Sequence, residues 1–183
     1  MLHLRPRLAR VLSYIRSGDT LWDIGCDHGY LGMRALLEKN LTGLICIDRS
    51  PAAIKKLKHK MALENLAPAV RGHVLRRLPD YERQNIRVVC ADAATLPAER
   101  VHGTVVLAGM GARSILRILN GFVFPNWAVQ TQLLMLPNAE RPLLENTFTE
   151  IKIELHQESI DDGKRRFFLY RARRESISGP LPD

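Results

Sequence analysis

Four carboxylates and a histidine stand within or just beyond successive apolar runs of this chain. Asp23, Asp27 and His28 fall in "LWDIGCDHGYLGMRALL", residues 21–37. Asp48 ends "GLICID", and Asp92 follows "IRVVCA". Gly109-Met110-Gly111 and Pro137-Asn138 close two further runs, "GTVVLAG" and "TQLLML". An ionised carboxylate only accepts hydrogen bonds, so such a set suits a cation, or the hydroxyl and amino groups of a nucleoside. The glycine turn from Gly25 to Gly29 also precedes a helical apolar pattern. Strand, glycine turn and helix are the opening of a nucleotide-binding α/β unit.

A phosphate ligand fits this turn poorly. The dinucleotide fingerprint G-x-G-x-x-G needs a second glycine two residues after the first. Asp27 stands there instead, and its charge would repel a pyrophosphate. A G-x-x-x-x-G-K-[ST] loop is absent as well. S-adenosylmethionine has no phosphate and carries an ammonium and a sulfonium. On that reading Asp23, Gly25, Asp27, His28 and Gly29 form the cofactor turn. Asp48, about 20 residues beyond it, is placed for the ribose hydroxyls, as in other nucleoside-binding α/β units. Asp92, with Ala93, is placed for the adenine amino group, and Gly109 and Met110 complete the set. Each residue also has a plainer reading. A strand-end Asp often caps a helix or forms a turn. Gly25 and Gly29 can serve backbone freedom alone, and His28 can bond a backbone carbonyl. Their recurrence at one end of a sheet favours the ligand, and with it methyl transfer.

The elements that must position these residues follow from hydrophobic period. Strands are expected at 20–24, 43–48, 86–90, 103–109 and 131–136. Helices are expected at 6–15 and 30–39, from Pro51 through Leu63 with Ser50 as N-cap, from 112 to a close at Gly121, and after Pro137. Two strand-like runs, "IKIELHQESI" and "KRRFFLYRA", flank a turn centred on Asp162-Gly163, a hairpin signal. Alternating strands and helices imply an α/β fold, a mostly parallel sheet with helices on both faces. The hairpin adds an antiparallel edge, for seven strands in all. One domain is expected over 1–174 and a frayed tail over 175–183. Residues 68–84 read as a basic insertion interrupted by Pro79.

Composition agrees. The chain has 183 residues, 46% of them hydrophobic, enough for one domain with a real core. No apolar run approaches the roughly 20 residues of a membrane helix. The basic N-terminus carries its apolar residues at helix spacing and lacks the pattern of a signal peptide. The expectation is a soluble cytoplasmic protein without a membrane partner. Cys26, Cys46 and Cys90 form no C-x-x-C, so neither a metal site nor a disulfide framework is expected. Cys46 and Cys90 read as small buried hydrophobes. Cys26, beside two acids, does not suit a reactive thiolate. A net charge of +8 points to a partner rich in phosphates, such as nucleic acid.

The pieces "RLARVLSYIRSGDTLWDIGCDHGYL", "VVLAGMGARSILRIL", "LPN" and "ESIDDGKRRFFLY" resemble the bacterial tRNA (adenine(22)-N1)-methyltransferase family, over about residues 4–172. That resemblance implies a Rossmann-like class I methyltransferase fold, S-adenosylmethionine as methyl donor and a D-arm adenine of tRNA as acceptor. Four features depart from the pattern. Ala112 replaces the last glycine of GMGG, Leu136 replaces the Gln of Q-P-N, the basic Val70–Gln84 insertion is no part of it, and the chain stops soon after the hairpin, where the family continues into a helical domain.

N1 of an unpaired adenine has a lone pair that can attack the sulfonium methyl. Asp27 and Asn138 are the candidates for stabilising the positive base that results. Asn138 is equally placed to cap a helix starting at Ala139. Tyr30 and Met110 could pack on the base or belong to the core. RNA contacts are expected from Arg76, Arg77 and Arg83 in the insertion, and from Arg165 and Arg166 after the hairpin turn. Two other readings keep the same motifs: a methyltransferase for another RNA or a small molecule, and a binding protein without turnover.

Overall fold

The structure, a computed structural model, describes residues 4–61, 86–96, 101–129 and 131–173. The insertion, with Arg76, Arg77 and Arg83, and the C-terminal tail lie outside those residues. Among the described residues seven strands form one sheet. They are β1 (Thr20–Ile24), β2 (Gly43–Asp48), β3 (Ile86–Cys90), β4 (Thr104–Ala108), β5 (Gln132–Leu136), β6 (His156–Asp162) and β7 (Arg165–Arg173). Their order is β3-β2-β1-β4-β5-β7-β6. Pairs from β3 to β5 are parallel; β7 runs antiparallel to both β5 and β6. The chain leaves β1 toward β2 and β3, then returns to the other side of β1 as β4. The strand order therefore reverses beside β1, the point where open α/β sheets bind ligands.

Side chains alternate along each strand, and the two sets build two cores. Trp22, Ile24, Ile45, Ile47, Val105, Leu107, Leu133 and Met135 face one side. Leu21, Leu44, Cys46, Val106, Leu134 and Leu136 face the other. Helices α1 (Pro6–Tyr14), α2 (Tyr30–Glu38) and α3 (Pro51–Met61) cover the second side. Helices α4 (Ala112–Ile118) and α5 (Arg141–Glu150) cover the first. Burial on both faces explains why β2, β4 and β5 read as continuous apolar runs rather than alternating ones. Proline stands in the first turn of α1 and α5, where its missing N–H costs nothing. The Ser50 hydroxyl accepts the Ala53 amide at 3.2 Å, the N-cap expected for α3.

Helix α1 is tied to the terminal hairpin by charge. Arg10 Nε donates to Glu158 at 2.7 Å, the Tyr14 hydroxyl donates to the same carboxylate at 2.7 Å, and Arg7 pairs with Asp162 at 3.4 Å. Arg10 and Tyr14 together hold the Glu158 carboxyl below its usual range. These contacts bring α1 against the sheet edge opposite β3.

Four expectations need correction. The helix from Ala112 does not close at Gly121. Its last turn widens over Leu119–Val123 and leads into a tight turn at Phe124–Asn126. Gly121 is there for close approach: a methyl on it would overlap the Ala94 carbonyl oxygen. The helix after β5 starts at Arg141, not Ala139, so Asn138 is no helix cap. The hairpin turn is Gly163-Lys164, one residue later than the Asp-Gly signal suggested. Cys90 is exposed, because it ends the edge strand β3; Cys26 and Cys46 are buried. No helix among the described residues is long and apolar enough to cross a membrane. Replacing Gly121 with Ala should overpack the contact with Ala94 and destabilise the fold by about 1–3 kcal/mol. Chemical denaturation of the two proteins measures it, and equal midpoints would refute the contact.

Candidate functional site

The parallel registers place the strand ends at one rim. Ile24 lies beside Ile47 and Leu107, Asp48 beside Cys90, and Ala108 beside Leu136. The turns leaving that rim surround a cavity of about 470 Å³. That is within the range of roughly 300–1,000 Å³ for small-molecule sites. Asp23, Gly25, Asp27, His28, Asp48, Asp92, Ala93, Gly109 and Met110 all line it. Gly29 does not; it faces Leu57 of α3.

The turn after β1 uses its own backbone donors. Gly25 and Cys26 both donate to the Ile47 carbonyl, at 2.8 and 3.2 Å, and Gly29 donates to Cys26 at 2.7 Å. The Asp27 amide donates to Asp48 Oδ2 at 2.9 Å. Four of the five amides from Gly25 to Gly29 are thus committed inside the protein. A phosphate-binding loop keeps such amides free for its ligand. Gly25 has φ +73° and must lack a side chain for a second reason: a methyl there would lie 2.5 Å from Met110 Cε. That missing methyl lets Met110, from the loop after β4, reach the turn.

The carboxylates differ in state. Asp23 is 4% exposed; one oxygen accepts the Gly32 amide at 3.2 Å. Burial, aided by the nearby Asp48 charge, pushes its carboxyl up to about 7 against the pull of that hydrogen bond. Asp48 braces two segments, since its Oδ1 also accepts the Ser50 amide at 2.8 Å. It is a turn former and a cavity wall at once, and each oxygen keeps a lone pair for a ligand. Asp92 caps a short turn through the Ala94 amide at 3.0 Å and pairs with both terminal nitrogens of Arg117, at 2.8 and 3.0 Å. The Arg117 bonds, then the Ala94 amide, hold its carboxyl below the usual range. Asp27 has φ +49°, its side chain is 72% exposed, and its Oδ1 lies 2.6 Å from His28 Nδ1. His28 therefore bonds a carboxylate, not the backbone carbonyl considered from sequence. Its ring stacks with Tyr30 at 6.0 Å, and Lys60 sits 3.8 Å over the Tyr30 ring. Tyr30 is exposed at the mouth and is no core residue, whereas Met110 is half-buried against the core.

Several lining residues escaped the sequence reading: Arg7 and Leu8 from α1, Arg49 after β2, and Ser114, Arg117 and Ile118 from α4. The last three stand at i, i+3 and i+4, one helix face directly after the Gly-Met-Gly loop, and that spacing was available as a signal. The α1 residues had none, because a distant hairpin holds that helix in place.

Asn138 is not part of this lining. The loops after β4 and β5 are zipped together: Gly109 donates to Leu136 at 3.2 Å, Asn138 to Met110 at 3.0 Å and Ala112 to Ala139 at 3.1 Å. The Asn138 side chain adds a bond from Nδ2 to the Gly109 carbonyl at 3.1 Å. Asn138 stands behind the wall and opens onto a second cavity, with Arg165 and Arg166. No group of three or more potential metal ligands occurs among the described residues.

The cavity's chemistry suits a cationic nucleoside: one buried carboxyl, Asp23, three further carboxylates, Asp27, Asp48 and Asp92, and apolar walls from Ile24, Leu31, Ile47 and Met110. Known proteins agree with the architecture. The chain superposes on Mycoplasma capricolum TrmK in complex with S-adenosyl-homocysteine, its natural cofactor product, at TM-score 0.72 and 16% identity, over 98% of this chain and 73% of that one. The Bacillus subtilis m1A22 tRNA methyltransferase TrmK matches at TM-score 0.73 and 20% identity, over 95% and 68%. A Streptococcus pneumoniae protein in complex with S-adenosyl-L-methionine matches at TM-score 0.74 and 18% identity, over 97% and 76%. At these identities the likeness establishes the fold. No curated protein sequence matches the chain. A methyltransferase domain profile matches residues 4–170, nearly the whole described structure, and with this fold and rim the chain belongs to that methyltransferase domain family.

Proposed function

We propose that this chain is an S-adenosylmethionine-dependent methyltransferase whose acceptor is N1 of an adenine in tRNA. The observation that carries the cofactor is the turn after β1. Its amides are consumed internally and its rim is carboxylate, so it rejects a pyrophosphate and accepts a cationic nucleoside. The acceptor rests on the company the fold keeps, two structures of TrmK, one of them described as an m1A22 tRNA methyltransferase. It also rests on the net charge of +8.

When bound, S-adenosylmethionine supplies an electrophilic methyl group. The protein's own work is to position and to shield. Asp48 meets ribose hydroxyls with its remaining lone pairs, while its bonds to Asp27 and Ser50 keep it fixed. Asp23 and the Asp48 charge favour a cation at the base of the cavity. Asp92 faces the base, sharing its oxygens with Arg117. Asp27, exposed at the mouth and held by His28, is placed to accept a hydrogen bond from the acceptor's amino group and to stabilise positive charge there. Asn138 acts through the Gly109 carbonyl as a positioning residue. Tyr30 lies where an extruded adenine can stack, after an unstacking cost of a few kcal/mol. Holding the lone pair of N1 in line with the methyl is worth several kcal/mol of the barrier.

The deciding experiment incubates the protein with the donor and bulk unmodified tRNA and analyses the nucleosides by mass spectrometry. One new methyl on adenine N1 is expected; labelled donor bound without any transfer would leave only a binding protein. Substitutions then separate the roles. Asp48→Ala should weaken S-adenosylhomocysteine binding by about 1–3 kcal/mol, the usual scale for a bond to a charged group. Asp27→Ala should lower the transfer rate far more than cofactor affinity; calorimetry beside single-turnover rates distinguishes the two. Asp23 sets a pH dependence. Its folded-state value, about 7, lies above its ordinary 3.8. Its contribution to stability is therefore full below about 4 and is lost as pH rises through about 7. Relative to wild type, Asp23→Asn should gain a few kcal/mol of stability across that window and nothing above it. Parallel denaturation curves at every pH would refute a buried, proton-holding Asp23.

A further inference from the structure

The second cavity, of about 450 Å³, is walled by the loop after β5, the start of α5 and the first residues of β7. It backs onto the zipped loops that form one wall of the first cavity. Gly109, Met110 and Leu136 of these loops line the first cavity, and Pro137, Asn138 and Ala139 line the second. Its chemistry differs from the first cavity's. Arg141, Arg165 and Arg166 line it together with Phe167 and Phe168. Among the described residues its one acid is Glu140, which is committed to Arg113 at 2.6 Å. Arg166 is held only by an exposed pair with Asp161 at 2.9 Å, a contact of little energetic worth. Arg165 is exposed, lines the cavity, and makes no ion pair among the described residues. The Arg141 guanidinium lies 3.6 Å over the Phe168 ring, a flat cationic platform.

Resting on the RNA reading above, we propose that this second cavity is the subsite for a nucleotide next to the target adenine in the chain. Its phosphate pairs with Arg165, and its base stacks on the Arg141–Phe168 platform. Unpaired phosphate-binding cations beside an arginine–aromatic plane are how proteins hold single-stranded RNA. The acidic first cavity repels a phosphate, and the basic second one attracts it. Extrusion of one adenine across the shared wall thus sets the strand's direction and register. The cavity gives Arg165 and Arg166 a role that charge alone does not: they define a place on the strand.

The test uses the full chain, with S-adenosylhomocysteine present, and a fluorescent single-stranded RNA pentanucleotide with a central adenosine. Arg165→Ala should weaken its binding about 5- to 10-fold and flatten the salt slope by about one ion. Arg173→Ala, an exposed charge on the same strand but outside the cavity, should change it less than about twofold. Cofactor affinity should be the same in all three proteins. Equal losses in both variants, or none at Arg165→Ala, would overturn the subsite while leaving tRNA methylation intact. Displacement of the RNA by pyrophosphate alone at equal affinity would mark a free-anion site and overturn it too. A wild type that neither binds the pentanucleotide nor methylates tRNA would sink the RNA reading itself, and the subsite with it.

Discussion

The site depends on the bonding between the turn after β1 and the end of β2. The Ile47 carbonyl takes two amides of that turn and the Asp48 carboxylate takes a third. One strand end thereby shapes the loop of its neighbour. Because Ile24 and Ile47 are paired in register, the bonds come at no cost in sheet geometry. The consequence is chemical. A loop whose donors are satisfied internally presents its side chains, and these are acids.

That arrangement has a thermodynamic burden, carried by Asp23. A carboxyl at 4% exposure with one backbone donor is short of partners, and it holds its proton toward neutrality. The surrounding core is large enough to hold it. Trp22, Leu21 and Ile24 are buried on either side of the same strand. Buried, underpaired carboxyls recur where a protein is built to meet charge. In the proposed function the charge to be met is the cation of the donor.

The loops after β4 and β5 do the opposite work. Their backbone bonds make a thin partition with acids in front and arginines behind. Asn138 stiffens it through Gly109. The two departures from the resembling family's motifs fall on this partition. Ala112 is fully buried against the core, and Leu136 is buried while its carbonyl accepts Gly109. Leu136 lines the first cavity as an apolar residue, and Ala112 does not line it.

By itself the sequence determined what is local. Apolar runs and their period located the five parallel strands and the second hairpin strand to within a residue, since burial leaves a mark on composition, whereas the first hairpin strand begins at His156 and not at Ile151, where its run begins. The strand-end acids were legible because one register carries them all to one rim, so a list of strand ends is already a list of site residues. Contacts between distant segments decided the rest. Gly121 read as a helix stop and is instead a point of close approach to Ala94, which no local pattern reports. Cys90 read as core because its run is apolar, yet its strand is the sheet's edge. Asn138 read as a catalytic group or a cap; its bond to a carbonyl 29 residues away put it behind the wall. Arg7 entered the cavity lining only because Asp162 and Glu158, far along the chain, hold α1 in place. Residue type and spacing encode what a strand end can bind. Which side of a wall a side chain stands on is set by hydrogen bonds between loops, and these exist only once the sheet has formed.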